Sequence, residues 1–349
     1  RASSRPKLLI TVPTTPHTAP LYDVRILDDL GASAADLEFV SVTKIAGSGS
    51  WTPVNTGTAT NLVIEDPASG IDIPAGEQAV IEITVRLQDT ATNVAGLTFT
   101  NTAAYTYNII DGDVITERPG DPGTSGPMTI VEPELTLEKG GPVNMTAGAP
   151  GSFSLNVHNV GDSPAWNLTI EDRLPNQADG GMCDAAPTAF TAQVFEANGT
   201  TAVSPVLAEG TDYSVAFAGD PDCNVTITTL TPAAAIGPDQ RLIITYQALL
   251  DTDSQQGASL TNVAGATEWI DEESGNPGRN TFTRSLTDGT VGVADHEDAH
   301  TVTTALTGYF YEKTVANLTS GANPASTAAP VTSSSIAAAR FGPWAWKPV

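Results

Sequence analysis

Three blocks of sequence occur twice in the same order: LYDVRILDDL (21–30) with AWNLTIEDRL (165–174), GEQAVIEITVRLQDT (76–90) with PDQRLIITYQALLDT (238–252), and GLTFTNTAAYTY (96–107) with ASLTNVAGATEW (258–269). A chain built by such duplication folds as repeated units of one plan. Inside the blocks apolar residues return every second position, the period of a strand with one buried face. SFSLNVHNV, YSVAFAG and VTITTL read the same way between Gly, Pro, Asp and Asn boundaries. IPAGEQAVIEITVRL alone has a helical look, and its V-I-I-V alternation favours a strand. Charged residues make up only 16% of the chain, and the scarcity of Lys, Glu, Gln and Met leaves little from which to build helices.

The expected fold is all-β, a tandem of immunoglobulin-like antiparallel β-sandwiches. A fourth correspondence, LTLEKGGPVNMTAGA (135–149) with FYEKTVANLTSGA (310–322), is displaced from the other three. Each copy therefore reads Lys strand, Asp strand, long middle, strand ahead of a QDT or LDT turn, then Asn strand. Residues 1–132 form a repeat lacking its first strand, 133–305 a complete repeat, and 306–349 the first-strand segment of a further one, so a terminal strand is either exchanged or truncated. Two readings are open. In one, the segment around Lys313 of one molecule completes repeat one of the next, with Asp28 and Asn101 closing the site; in the other, the sequence is a window of a longer multi-repeat polypeptide.

Lys and Arg number 15 against 40 Asp and Glu, for a formal charge of -25. A nucleic-acid partner is excluded on that balance, because little here would neutralise phosphates. No apolar run approaches the roughly 18 residues of a membrane helix, and no amino-terminal signal pattern or LPxTG-like sorting signal is visible. Cys183 and Cys223 fall in loop-like stretches and read as an extracellular disulfide or, in the plainer alternative, as two unconnected thiols. No metal site or cofactor is expected. DHEDAH (295–300) reads as a solvated acidic loop, calcium has no support in DGDVITERPGD, and the N-x-[ST] sites are as many as a Thr-rich chain produces by chance. Four His, two Cys and no G-x-S-x-G, P-loop or dinucleotide fingerprint leave no conventional enzyme. The Trp pair in RFGPWAWKPV is suited to docking into a neighbour's groove or to binding a sugar, or, in the plainer alternative, to packing on its own domain.

Facing rules bring out one polar set. Lys139 shares parity with Leu135 and Leu137, Asp172 with Leu168 and Ile170, and Asn262 with Leu260 and Ala264. Asp28 likewise shares parity with Val24 and Ile26, Asn101 with Leu97 and Phe99, and Lys313 with Tyr309 and Tyr311. Glu171, the rival acid, faces outward. Desolvation lowers a lysine pKa and raises an aspartate pKa, so a buried pair can pass a proton and leave a neutral, nucleophilic amine. A protonated Asp donating to the Asn carbonyl would then polarise it, and attack would expel ammonia. The alternative is a hydrogen-bonded network with no amide, which still fixes strand register.

The pattern of a Lys strand followed by N-[ML]-T-x-G, then NVGDSPAWNLTIEDRLP, then LTNVA resembles the repeat of bacterial surface and fimbrial proteins that form internal isopeptide bonds, akin to Cna-type adhesin and pilin modules. The resemblance covers most of repeat two and the later part of repeat one. It implies an Ig-like sandwich, a cell-surface or extracellular location, and an autocatalytic, single-turnover bond with Lys139 as nucleophile, Asn262 as acceptor and Asp172 as assisting acid. Repeat one departs from it, with Gly31 in place of Pro175 and Lys7 too close to the next strand to match Lys139. The expected function is a structural subunit of a surface fibre or stalk, whose partners are copies of itself, head to tail. The alternative is an adhesive module that presents a carbohydrate or host ligand surface on the insertion 176–235.

Overall fold

The computed structural model describes residues 6–113, 115, 117–272, 279–290 and 295–305. Their architecture is all-β with antiparallel sheets, apart from two 3-10 turns, one short parallel pairing of Asn144–Met145 with Thr303–Thr304 and an isolated parallel bridge between Glu209 and Tyr213. Two hydrophobic cores follow the duplication. The first runs from Leu8 to Ile130 and the second from Leu135 to Val302. Each is closed between two facing β-sheets.

In the second sandwich one sheet has the order Leu135–Gly140, Gly151–Asn159, Arg241–Ala248, Thr188–Phe195. The facing sheet is built on Glu297–Thr304, Ser259–Ile270, Trp166–Arg173, Asn224–Thr229 and Tyr213–Ala218. In the first sandwich the corresponding sheets are Lys7–Val12, Ala79–Leu87, Leu37–Ala46 and, opposite, Gly123–Thr124, Thr102–Asn108, Tyr22–Asp29, Asn61–Glu65, Val54–Asn55. The edge that Leu135–Gly140 occupies in the second sandwich therefore has no strand in the first among the described residues. Alternation is carried through: Ala79–Leu87 is buried at every odd position, which places Ala79, Ile81, Ile83, Val85 and Leu87 in the core as β-pleating requires.

Three expectations change. Matched end to end, residues 76–90 and 238–252 set Ile81 over Ile243, yet Ile81 is buried and Ile243 only half-buried. The inward set of the second copy is Leu242, Ile244, Tyr246 and Ala248, so the facing of the two strands agrees only after a one-residue shift. Residues 176–235 are not an insertion, because they supply Thr188–Phe195, Tyr213–Ala218 and Asn224–Thr229 to the two sheets. DHEDAH is no solvated loop either: it leads into the strand Glu297–Thr304, with Glu297 and Asp298 both 6% exposed. Glu297 is held there by Thr287 and the Gly289 N–H, while Asp298 accepts from the Lys139 backbone N–H, as buried carboxylates must.

Cys183 and Cys223 form a disulfide with a Cα–Cα distance of 5.3 Å. It ties the loop beyond the Asp strand to the start of Asn224–Thr229, beside the Leu174 N–H bond to the Cys223 carbonyl. For its sequence separation of 40, the chain-entropy argument puts its contribution at about 4 kcal/mol. The double substitution Cys183→Ala, Cys223→Ala is accordingly expected to lower the free energy of unfolding, read from urea titration, by that amount without altering the far-UV spectrum.

Candidate functional site

The second sandwich buries a four-residue polar cluster. The Lys strand Leu135–Gly140 closes one side of the sandwich. It pairs with Gly151–Asn159 on one edge, while on the other its backbone donates from Leu137 to the Asp295 carbonyl at 2.7 Å and from Lys139 to the Asp298 carboxylate at 2.9 Å. Lys139 is thereby delivered from one sheet into the space against the other. Its Nζ donates to Asp172 Oδ2 at 2.7 Å and to the Tyr246 hydroxyl at 3.1 Å. Tyr246 in turn donates to the same Asp172 oxygen at 2.6 Å and accepts from Asn262 Nδ2 at 2.9 Å. Lys139, Asp172, Tyr246 and Asn262 are 4%, 0%, 1% and 0% exposed.

Register explains why these residues meet. Asp172 lies opposite Ala264 in the antiparallel pair of Trp166–Arg173 with Ser259–Ile270, so Asn262 is its diagonal neighbour on the same inward face. Tyr246 comes from the other sheet, its ring stacked between Phe153 and Phe190 with centroids 5.4 Å away on each side. These rings and the Lys139 aliphatic stem leave the cluster dry. Burial pulls the Lys139 pKa below its ordinary value against the opposing charge and hydrogen bond of Asp172 and the charge of Asp298. Burial and the Asp172 charge push the Tyr246 hydroxyl well above the usual range. Two acceptor oxygens, Asp172 Oδ1 and Asn262 Oδ1, are buried without a hydrogen-bond partner, which is costly unless a proton comes to serve them. The cluster holds what an amide-forming step needs: an amine made easier to deprotonate, an acid in contact with it, a carboxamide, and a hydroxyl touching all three.

Tyr246 was not among the residues singled out from the sequence. The signal was present, since Tyr246 shares parity with Leu242 and Ile244 in RLIITYQALL. A hydroxyl on the inward face of a strand has to find a partner inside.

In the first sandwich, Asp28 and Asn101 repeat the arrangement without the other two members. Asp28 lies opposite Ala103 as Asp172 lies opposite Ala264. Asn101 Nδ2 donates to Asp28 Oδ2 at 2.8 Å, while Asp28 Oδ1 and Asn101 Oδ1 are buried without partners. The inward residues of Ala79–Leu87 offer no hydroxyl. Lys7 faces outward, 3.0 Å from Glu82, and the inward positions of its strand are Leu8, Ile10 and Val12. Burial pushes the Asp28 carboxyl up to about 6, with the Asn101 hydrogen bond opposing and the Asp29 charge adding to the rise. Lys313 and the Trp pair of the tail lie outside the described residues.

No known protein family matches the chain, and no curated protein matches it. Among solved structures, the chain is similar to the collagen-binding domain of a Staphylococcus aureus adhesin, at 14% identity over 48% of this chain and 96% of that one, with a TM-score of 0.27. The collagen-binding subdomain of the Enterococcus faecalis surface protein ACE matches at 13% identity over 48% and 95%, TM-score 0.27. The C-terminal domain of the Streptococcus agalactiae AgI/II polypeptide BspA matches at 10% identity over 86% and 100%, TM-score 0.34. These neighbours are domains of bacterial surface proteins, and superpositions at this level establish no common activity.

Proposed function

We propose that residues 133–305 form an amide between Lys139 Nζ and Asn262 Cγ, and that the chain serves as a structural subunit of an extracellular bacterial surface fibre or stalk. The observation that carries this reading is the dry contact of Lys139 with Asp172 and Tyr246, and of Tyr246 with Asn262. A lysine proton passes to Asp172 along the 2.7 Å hydrogen bond, and the neutral amine attacks Asn262 Cγ. The protonated carboxyl serves the orphaned Asn262 oxygen and stabilises the charge that develops on it. The Tyr246 hydroxyl, already bonded to Asn262 Nδ2, relays a proton to the departing nitrogen. One C–N bond forms, one breaks, and ammonia leaves, carrying the proton held by Asp172 away as ammonium.

The bond links a strand at the edge of one sheet to a strand in the other, so force along the chain cannot peel the Lys strand away without breaking a covalent bond. A disulfide inside the same sandwich supports an oxidising, extracellular setting, and the net charge of -25 keeps a long assembly soluble. Intact mass of the denatured, reduced chain tests the reading: the expected value is lighter than the sequence mass by one ammonia, with Lys139 and Asn262 recovered in one branched peptide. An unmodified mass overturns it. Tyr246→Phe keeps the ring between Phe153 and Phe190 but loses the relay, and is expected to slow bond formation about 100-fold or more, leaving the unmodified mass in freshly made protein.

A further inference from the structure

A groove runs along the first sandwich where the second holds its Lys strand. It has a volume of about 570 Å³ and is bordered by every residue from Lys7 to Val12 on one side and by Ala103, Tyr105, Gly123 and Met128 on the other, with Asn101 in its lining. The strand Lys7–Val12 pairs only with Ala79–Leu87 among the described residues, so its outer backbone edge faces the groove. An open edge beside a groove of mixed lining, in which Tyr105 and Met128 stand with Asp121, Thr124 and Ser125, is a template for one more strand. Below it lie Asp28, 1% exposed, and Asn101, 6% exposed, each with an oxygen that no donor serves. In the second sandwich the equivalent carboxylate is served by Lys139 on the strand that fills the equivalent edge.

The chain carries the Glu-Lys pair twice, at 138–139 and 312–313. The first belongs to the strand that completes the second sandwich. The other sits in FYEKTVANLTSGA, with Lys313 on the same parity as Tyr309 and Tyr311, so an added strand that points Lys313 inward also points two aromatic rings at the groove. Its place in the chain is equivalent too. Leu135–Gly140 starts a few residues after Met128–Thr129, the last strand of the first sandwich, and residues 309–315 start a few after Glu297–Thr304, the last strand of the second. Among the described residues the first sandwich has no strand at that edge, and residues 309–318 carry the Glu-Lys pair of the strand that fills it in the second.

We propose that this groove is the acceptor for residues 309–318 of a second copy of the chain, whose Lys313 ammonium pairs with Asp28 and Asn101. The proposal rests on the surface-fibre reading and names its joint: a heterologous, head-to-tail contact that does not close on itself builds a filament. Opposite charge meets in a site that is otherwise an unpaired buried acid, so the pair selects the register of the incoming strand as well as its presence.

The test uses the full chain and a labelled peptide of residues 306–320, with binding read by fluorescence anisotropy and assembly by sedimentation velocity. The expected result is concentration-dependent oligomers that the peptide reduces to monomers. Asp28→Asn in the chain and Lys313→Met in the peptide are each expected to weaken peptide binding roughly 30-fold, and the two together no further, because each removes the same buried pair. The peptide change leaves the fold of the chain untouched. A chain that stays monomeric at every concentration and takes up no peptide overturns the proposal, as does binding indifferent to both substitutions. Protection of the Lys7–Val12 amides in such a monomer would mean that the groove is filled from within one chain, which overturns the second-copy assignment. The Lys139–Asn262 peptide is read separately from the same digest, so failure of the joint and failure of the intrachain bond remain distinguishable.

Discussion

Lys139→Met is expected to unfold the second sandwich under conditions where the parent chain is fully folded. Two losses add. The substitution leaves Asp172 served only by the Tyr246 hydroxyl on one oxygen, with the other still unpartnered; once the amide has formed, Lys139 Nζ carries no charge, so what the carboxylate loses is a hydrogen bond to a charged group, about 1.5–3 kcal/mol. It also removes the amide, which closes a loop of roughly 120 residues between Lys139 and Asn262 and is worth about 5 kcal/mol on the chain-entropy argument. Together these approach the whole stability of an ordinary domain, about 5–15 kcal/mol. A second variant separates them. Lys139→Met combined with Asp172→Leu buries no charge, so it is expected to recover most of the first loss and none of the second. Urea unfolding of the three proteins, monitored by exchange of the Trp166–Arg173 amides, reads both quantities. If the double variant regains the full parent stability, the covalent contribution is zero and the cluster acts by hydrogen bonding alone.

Much of this site was legible because strands have a period of two. Parity alone placed Lys139, Asp172 and Asn262 inside, and all three are buried there. Spacing, not parity, sets Lys7 apart from Lys139, since it stands too close to the next strand, and its side chain lies at the surface against Glu82. Parity is a local property, however, and its failures were of reach. Which strand stands opposite which is set by pairing across many residues, so the sequence blocks could be matched end to end while their buried faces are one residue out of step, as Ile81 and Ile243 show. Tyr246 lies outside the Lys, Asp and Asn set that recurs between the repeats, although its hydroxyl, bonded to Lys139, Asp172 and Asn262, holds the other three together. Asp298 was hidden for a different reason. Five polar or charged residues in DHEDAH read as loop by composition, and only the sheet reveals that the buried ones have partners waiting, among them the Lys139 backbone. The open edge of the first sandwich was legible from repeat order, whereas the groove along it was not: its far wall is formed by residues 123–128, a Gly- and Pro-rich stretch with no strand-like alternation.

That groove has a consequence for pH, expected to be the second largest effect. The unfolded-state carboxyl of Asp28 titrates near its ordinary value of 3.8, whereas burial without a cation pushes the folded one up to about 6. A folded pKa above the unfolded one means that the folded state holds its proton more tightly. The first sandwich therefore gains from this group fully below about pH 4, and the gain is lost as the pH rises through 6. Two pKa units correspond to about 3 kcal/mol. Asp28→Asn keeps the shape and a hydrogen-bonding group beside Asn101 without the ionisation. At pH 8 the variant is expected to be more stable than the parent by up to about 3 kcal/mol, and the difference is expected to shrink to near zero at pH 4. The measurement is urea unfolding of both proteins across that range, followed by exchange at the Tyr22–Asp29 amides and carried out at concentrations too low for strand exchange between copies. A pH-independent difference would place Asp28 in contact with water or with a cation already. A difference that follows the predicted sign, and is abolished by saturating peptide of residues 306–320, would show that what destabilises the open sandwich at neutral pH is the same unpaired charge that recruits its missing strand.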